Sequence, residues 1–133
     1  MTERIIQEAR SITNKISNET LSSFGYRERV QLERLIFLNL KQLMKQLGYD
    51  LHGLSNIHFE SLKKAAKENG WPKDVINVMH EAFEFKIYIK DISSSNAYVR
   101  NDALLRLSPN LVQLIPLICN KFMNLITKMS KLS

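Results

Sequence analysis

The chain has few of the residues that turn or interrupt a polypeptide. It contains four glycines and three prolines among 133 residues. Because glycine and proline dominate tight turns, their scarcity argues against a fold of many short strands. Hydrophobic residues make up 44% and charged residues 24% of the chain, which is the composition of a globular protein. A chain of this length can bury one core without disulfides or metals, so we expect one helical domain over residues 1–133.

Cysteine and long apolar runs are also nearly missing. The single cysteine, Cys119, excludes an intrachain disulfide and a zinc cluster built on cysteines. No window of about 18 apolar residues is present, so we expect no membrane span. The first residues, MTERIIQEARSITNK, carry charges throughout and lack the apolar centre of a signal peptide. These absences predict a reducing compartment, and the cytoplasm is the expected location.

Positive charge dominates, but it is unevenly distributed. The formal net charge is +6 and the isoelectric point about 9.6. Lys and Arg outnumber Asp and Glu by eight to five in residues 1–47 and by five to one in residues 96–133, whereas residues 48–95 carry six basic and seven acidic side chains. The two positive ends are suited to nucleic acid, an acidic protein or an anionic membrane surface.

Apolar residues recur at helical spacing, which predicts an all-α, single-domain bundle of five to six helices. The second predicted helix is apolar around most of its circumference, and we expect it to form the core with the fourth and the sixth. Pro116 lies inside the sixth and predicts a kink near residues 112–116. The predicted helices run from Thr2 to Ser17, Tyr26 to Leu47, Ile57 to Asn69, Pro72 to Ile92, Asn96 to Leu107, and onward from Ser108.

One segment of the fourth helix has a competing interpretation. The sequence FEFKIYIK, from Phe83 to Lys90, alternates apolar and polar residues as a strand does. A strand needs a partner, and no second convincing strand is present in the sequence. We therefore interpret the segment as helix, with Ile76, Met79, Phe83 and Ile87 sharing one face.

Two local resemblances carry little weight for function. The stretch SSSNAYVRNDALLRLSP, residues 93–109, resembles the second helix of a HEAT repeat in its Val99-Arg100 pair and its Ala103-Leu104 phrase. The phrase occurs once, whereas a solenoid needs several repeats, so we expect a capped helix in a bundle. The run that starts at Arg100 also resembles the start of the HEPN ribonuclease motif. No histidine follows an arginine within about six residues, so the catalytic pair of that family is missing.

The junction Gly70-Trp71-Pro72 resembles a helix-turn-helix in outline. The helix that follows it carries Asp74, Glu81 and Glu84, which phosphate would repel. We therefore expect Trp71 to be a buried plug at the corner.

Catalytic and metal-binding patterns are absent from the sequence. There is no nucleophile elbow, no glycine-rich phosphate loop and no cysteine with a plausible histidine nearby. His80 and Glu84 share a helix face as two metal ligands do, and Asp50, His52 and His58 lie in or near one loop, but no clear ligand set follows. We expect no enzymatic activity, no cofactor and no bound metal.

Basic residues recur along three of the predicted helices. Four of them form a stripe on the second helix, opposite its leucine face. If two of the three groups share one side of the fold, they could hold a phosphate backbone. The nine candidate residues for nucleic-acid binding are Arg27, Arg34, Lys41 and Lys45 on the second helix, Lys63, Lys64 and Lys67 on the third, and Lys121 and Lys128 on the sixth.

Two functions remain open from sequence. The first is a non-catalytic cytoplasmic interaction protein, regulatory in role, that binds a protein partner or its own copy through apolar helix faces. Two observations support this hypothesis: apolar residues surround most of the second helix, and the sixth helix is rich in Met and Leu. The alternative is a DNA- or RNA-binding regulator that uses the nine basic residues.

Overall fold

The computed structural model describes residues 2–18, 23–48, 59–107 and 114–132, and within these ranges every regular element is an α-helix. The prediction of an all-α bundle is confirmed. The described helices are α1 (Thr2–Ser17), α2 (Tyr26–Gln46), α3 (Phe59–Asn69), α4 (Lys73–Ile92), α5 (Ala97–Leu107) and α6 (Leu114–Leu132).

The helix ends follow local sequence signals. Gly48, just after α2, has a φ of 80° and Gly70, just after α3, has a φ of 60°. This left-handed conformation suits glycine and ends a helix. Asn96 caps α5, because its side-chain oxygen accepts hydrogen bonds from the backbone N–H of Tyr98 at 3.0 Å and of Val99 at 3.3 Å. The stretch that resembles a HEAT helix is therefore a single capped helix of the bundle.

Helix α6 lies at the centre of the bundle and packs against α1, α2 and α4. Its apolar face is fully used inside the protein, since Ile118, Phe122 and Met129 are all buried. The predicted core of the second, fourth and sixth helices is present, and α1 joins it through Ile5, Ala9 and Ile16, as buried as the rest. The richness of α6 in Met and Leu therefore reflects burial rather than an external surface.

A buried asparagine joins α2 to α6. The side-chain amide of Asn39 donates hydrogen bonds to the carbonyl of Ile126 at 3.1 Å and to the hydroxyl of Ser130 at 3.2 Å. Asn39 is fully buried, and its side-chain oxygen has no hydrogen-bond partner among the described residues. Because unpaired amide groups are costly to bury, the two hydrogen bonds favour one register of α2 against α6.

The segment from Phe83 to Lys90 is helical, as predicted. The aromatic rings of Phe85 and Phe122 lie 6.1 Å apart between their centroids, which shows the face of α4 that meets α6. Of the predicted stripe, Met79 is fully buried and Ile76 and Phe83 are partly buried, whereas Ile87 is 60% exposed, so the stripe runs from the core to the margin of the buried face. The face that packs into the core is shifted toward Val78, Phe85 and Ile92, and this shift leaves an apolar margin uncovered.

Four sequence predictions fall wholly or partly outside the described ranges, and one of them is the start of the third helix at Ile57. The start of the sixth helix at Ser108 and part of the kink assigned to Pro116 involve residues 108–113. Pro116 is the third residue of α6 as the structure describes it. Asp50, His52 and His58 also lie outside those ranges. Trp71 is buried, as its proposed role as a plug requires.

Candidate functional site

A groove of about 570 Å³ lies between α2 and α4. Its α2 wall runs from Tyr26 to Leu40, which corresponds to about 21 Å of helix at a rise of 1.5 Å per residue. Its α4 wall is shorter and runs from Ala82 to Lys86. The lining is mostly apolar and comprises Tyr26, Val30, Ile36, Phe37, Leu40, Ala82 and Phe83, together with Glu33, Arg34 and Lys86.

The groove lies on a side of α2 that differs from the side buried in the core. Leu32, Leu35 and Leu43 of α2 are buried in the core and lie away from the groove. The groove side of the same helix keeps Tyr26 70% exposed and Val30 38% exposed. Exposed apolar side chains that cluster in a concavity mark interaction surfaces more often than scattered ones do.

An aromatic residue with a cation above it lies at one end of the groove. The guanidinium carbon of Arg29 lies 4.9 Å from the centroid of the Tyr26 ring, within the range of a cation–π contact. The Arg29 Nε atom lies 3.8 Å from a carboxylate oxygen of Glu33, one turn along the helix. These contacts hold the Tyr26 ring at the entrance although most of its surface is accessible.

The remaining charges at the rim differ in how they are neutralised. Arg34 donates a hydrogen bond of 3.0 Å to the Glu8 carboxylate of α1, so its charge is balanced. Lys86, on the opposite wall, forms no ion pair with a residue in the described ranges. The groove therefore has a half-buried lysine among its apolar lining residues.

The nine predicted basic residues are all exposed, on the helices where the sequence placed them. Three of them contact other side chains. Arg34 binds Glu8, Lys128 donates to both carboxylate oxygens of Glu81 at 3.1 Å, and the Lys121 ammonium lies 5.9 Å from the centroid of the Tyr88 ring. The use of the nine residues in nucleic-acid binding, which requires two of the three groups to share one side of the fold, stays a prediction.

A second concavity, of about 330 Å³, lies between α4 and α6. Its walls carry Glu81, Tyr88, Lys121 and Lys128, whose charged groups pair or stack with one another. Burial raises the pKa of the Tyr88 hydroxyl above its usual value. Glu84 also lines this concavity, and it contacts His80 rather than another lining residue.

The paired residues His80 and Glu84 form a local contact. Their side chains meet at 2.8 Å between Nε2 and Oε1, one turn apart on α4. Within the part of the chain that the structure describes, no group of three or more His, Cys, Asp or Glu side chains could hold a metal ion. In the same part of the chain, no helix is long and apolar enough to cross a membrane.

No family model, curated protein or solved structure matches this chain. A functional interpretation therefore depends on the geometry of the molecule itself.

Sequence reasoning missed the α4 wall of the groove. It placed Phe83 in a helical stripe but did not pair that stripe with α2, and it gave Lys86 no role. The available signal was the stripe of Ile76, Phe83 and Ile87, which is offset from the most buried positions of α4. Only the tertiary structure could show that Phe83 of this stripe lines a groove together with the exposed Tyr26 and Val30 of α2.

Proposed function

We propose that this chain is a non-catalytic interaction protein that binds a helical segment of a protein partner in the groove between α2 and α4. The observation that supports the proposal is an apolar concavity of about 570 Å³ with an aromatic residue at its entrance. Binding of an amphipathic helix in an apolar groove is a common mode of peptide recognition. The proposal also assigns the protein a regulatory role in the cytoplasm, in keeping with its single cysteine.

The size of the groove suits a short helix. The α2 wall of about 21 Å corresponds to about four turns of a docked helix. Tyr26 and Val30 are one turn apart along this wall, and Phe37 follows Val30 after two turns. A partner with apolar residues at positions i, i+3 or i+4, and i+7 would place one side chain between each of them.

Two residues of α2 provide a matched test of the groove. Val30 and Leu38 are both 38% exposed, but only Val30 lines the concavity. We would screen the full chain against a displayed library of helical peptides of about 18 residues, long enough to span the α2 wall. The library fixes apolar residues at one helical face and randomises all other positions.

The proposal expects peptides to be enriched on the native chain and on Leu38→Glu, and to lose at least about tenfold in affinity on Val30→Glu. A Tyr26→Glu variant repeats the test at a more exposed position, and circular dichroism confirms that each variant is folded. No enrichment on the native chain, or equal losses on Val30→Glu and Leu38→Glu, would overturn the proposal. If sedimentation shows a dimer that Val30→Glu disrupts, the occupant of the groove is a second copy of this chain and not a foreign partner.

The alternative function is a nucleic-acid-binding regulator. It is supported by seven exposed basic residues that form no ion pair within the described ranges. They are Arg27, Lys41, Lys45, Lys63, Lys64, Lys67 and Lys121. It predicts binding of DNA or RNA that weakens steeply with salt and on Lys41→Glu, but not on Val30→Glu. Lys41 is a sharper probe than Arg34, whose charge Glu8 already balances. Absence of binding at low salt removes this alternative.

A further inference from the structure

We infer that the helix bound in the groove between α2 and α4 is acidic, with Asp or Glu side chains flanking its apolar face. This inference rests on the proposed function and adds the chemistry of the partner. It comes from the way charge is distributed around the groove, which neither the volume nor the apolar lining reveals.

The first observation is an alternation along α2. Arg27, Val30, Arg34, Phe37 and Lys41 follow one another at separations of three, four, three and four residues. Separations of three and four place side chains on one face of a helix. Of the three basic residues, Arg34 lines the groove itself, and Arg27 and Lys41 lie on the same face of α2 without being among the described lining residues.

The second observation is the balance of charge at the rim. Among the described residues of the lining, Glu33 is the one acidic side chain, and it already lies 3.8 Å from Arg29. Arg34 is balanced by Glu8, whereas Lys86 of the lining forms no ion pair with another residue of the described ranges. The same holds for Arg27 and Lys41, which share the helix face of Val30 and Phe37. A carboxylate-bearing helix would meet cations on both sides of its apolar face.

This arrangement disfavours the other occupants. A second copy would present the same basic and apolar face, so the cations of the two chains would repel one another. Nucleic acid would match the cations but would set phosphates against Val30 and Phe37, which cannot contact them favourably. An acidic amphipathic helix satisfies the cations and the apolar residues together.

The library that tests the proposed function also tests the inference, because its charged positions are random. The expected result is enrichment of peptides with a clear excess of Asp and Glu beside the fixed apolar face. The affinity of a synthetic peptide of that kind should fall about fivefold on Lys86→Glu and less than about twofold on Lys64→Glu. Lys64 is an exposed lysine of α3, a helix that contributes no lining residue, so it controls for the change in net charge.

The outcomes separate the inference from the proposed function. If the enriched peptides are neutral or basic and their binding is still lost on Val30→Glu, the inference of an acidic partner is wrong. The proposal that the groove binds a helix then remains supported. Competition by polyglutamate as strong as that of the helical peptide would also overturn the inference, because attraction by charge alone would then suffice. Failure to enrich any peptide would overturn both.

Discussion

The register of α4 gives the sharpest test of the fold, through two isoleucines that are two residues apart. Ile89 is fully buried, whereas Ile87 is 60% exposed. In a strand the two side chains would point to the same face, but in a helix they lie about 200° apart around the axis. The alternating sequence from Phe83 to Lys90 is compatible with either pattern, so the two positions distinguish the conformations directly.

The expected costs of truncation differ severalfold. Replacing a fully buried isoleucine by alanine lowers the free energy of unfolding by about 2–5 kcal/mol, since it leaves a cavity. Ile87 buries less than half of its side chain, and full burial of an isoleucine is worth about 1.5–3 kcal/mol. The loss at Ile87 is therefore below about 1 kcal/mol, and the higher helix propensity of alanine offsets part of it.

The measurement is urea unfolding of Ile87→Ala and Ile89→Ala, followed by far-ultraviolet circular dichroism, with thermal unfolding as a second readout. For a chain of this size, about 1 kcal/mol corresponds to about 4 °C in Tm. We expect Ile89→Ala to lower the Tm by about 8–20 °C and Ile87→Ala by less than about 4 °C. Equal losses at the two positions would refute the helical register of α4 and, with it, the geometry of the groove.

Two further predictions concern buried groups. Asn39→Ala should lower the free energy of unfolding by about 2–3 kcal/mol, because it removes two hydrogen bonds and leaves a cavity. Asn39→Leu should lower it by less than about 1 kcal/mol, because leucine fills the space and removes an unpaired oxygen. Equal costs in urea unfolding would contradict this. Burial raises the pKa of the Cys119 thiol, so its thiolate fraction at pH 8 is below that of an unstructured cysteine. Alkylation of the folded protein by iodoacetamide should therefore be slower than alkylation in urea, and its rate should increase as the pH rises. A rate unchanged by urea would count against that burial.

The helical architecture was predictable because it depends on local features. Apolar spacing placed α1 and α2 within a residue or so of their observed ends, and Asn96 and Gly48 marked boundaries through their own chemistry. Even the ambiguous segment of α4 was interpreted correctly, since a strand without a partner leaves backbone groups unpaired.

The candidate site was only half predictable. The sequence indicated that apolar residues cover more of α2 than the one face that packs in the core. It predicted an exposed apolar face on α6 as well, but the main apolar residues of α6 are buried inside the bundle. Asn39 was also missed, because a polar residue in an apolar helix becomes meaningful only when Ser130 and the Ile126 carbonyl lie opposite. Such contacts join residues far apart along the chain, and no local pattern specifies them.

The sequence by itself determined that this chain forms helices, where most of them begin and end, and that its surface carries an excess of positive charge. These properties follow from the spacing and type of neighbouring residues, whose interactions are short in range. The tertiary structure alone decided which apolar faces meet, that α6 lies at the centre, and that Phe83 and Lys86 stand across from Val30. Packing decides these points because each helix has more apolar surface than any one neighbour can cover, and the surface left uncovered depends on all the neighbours at once.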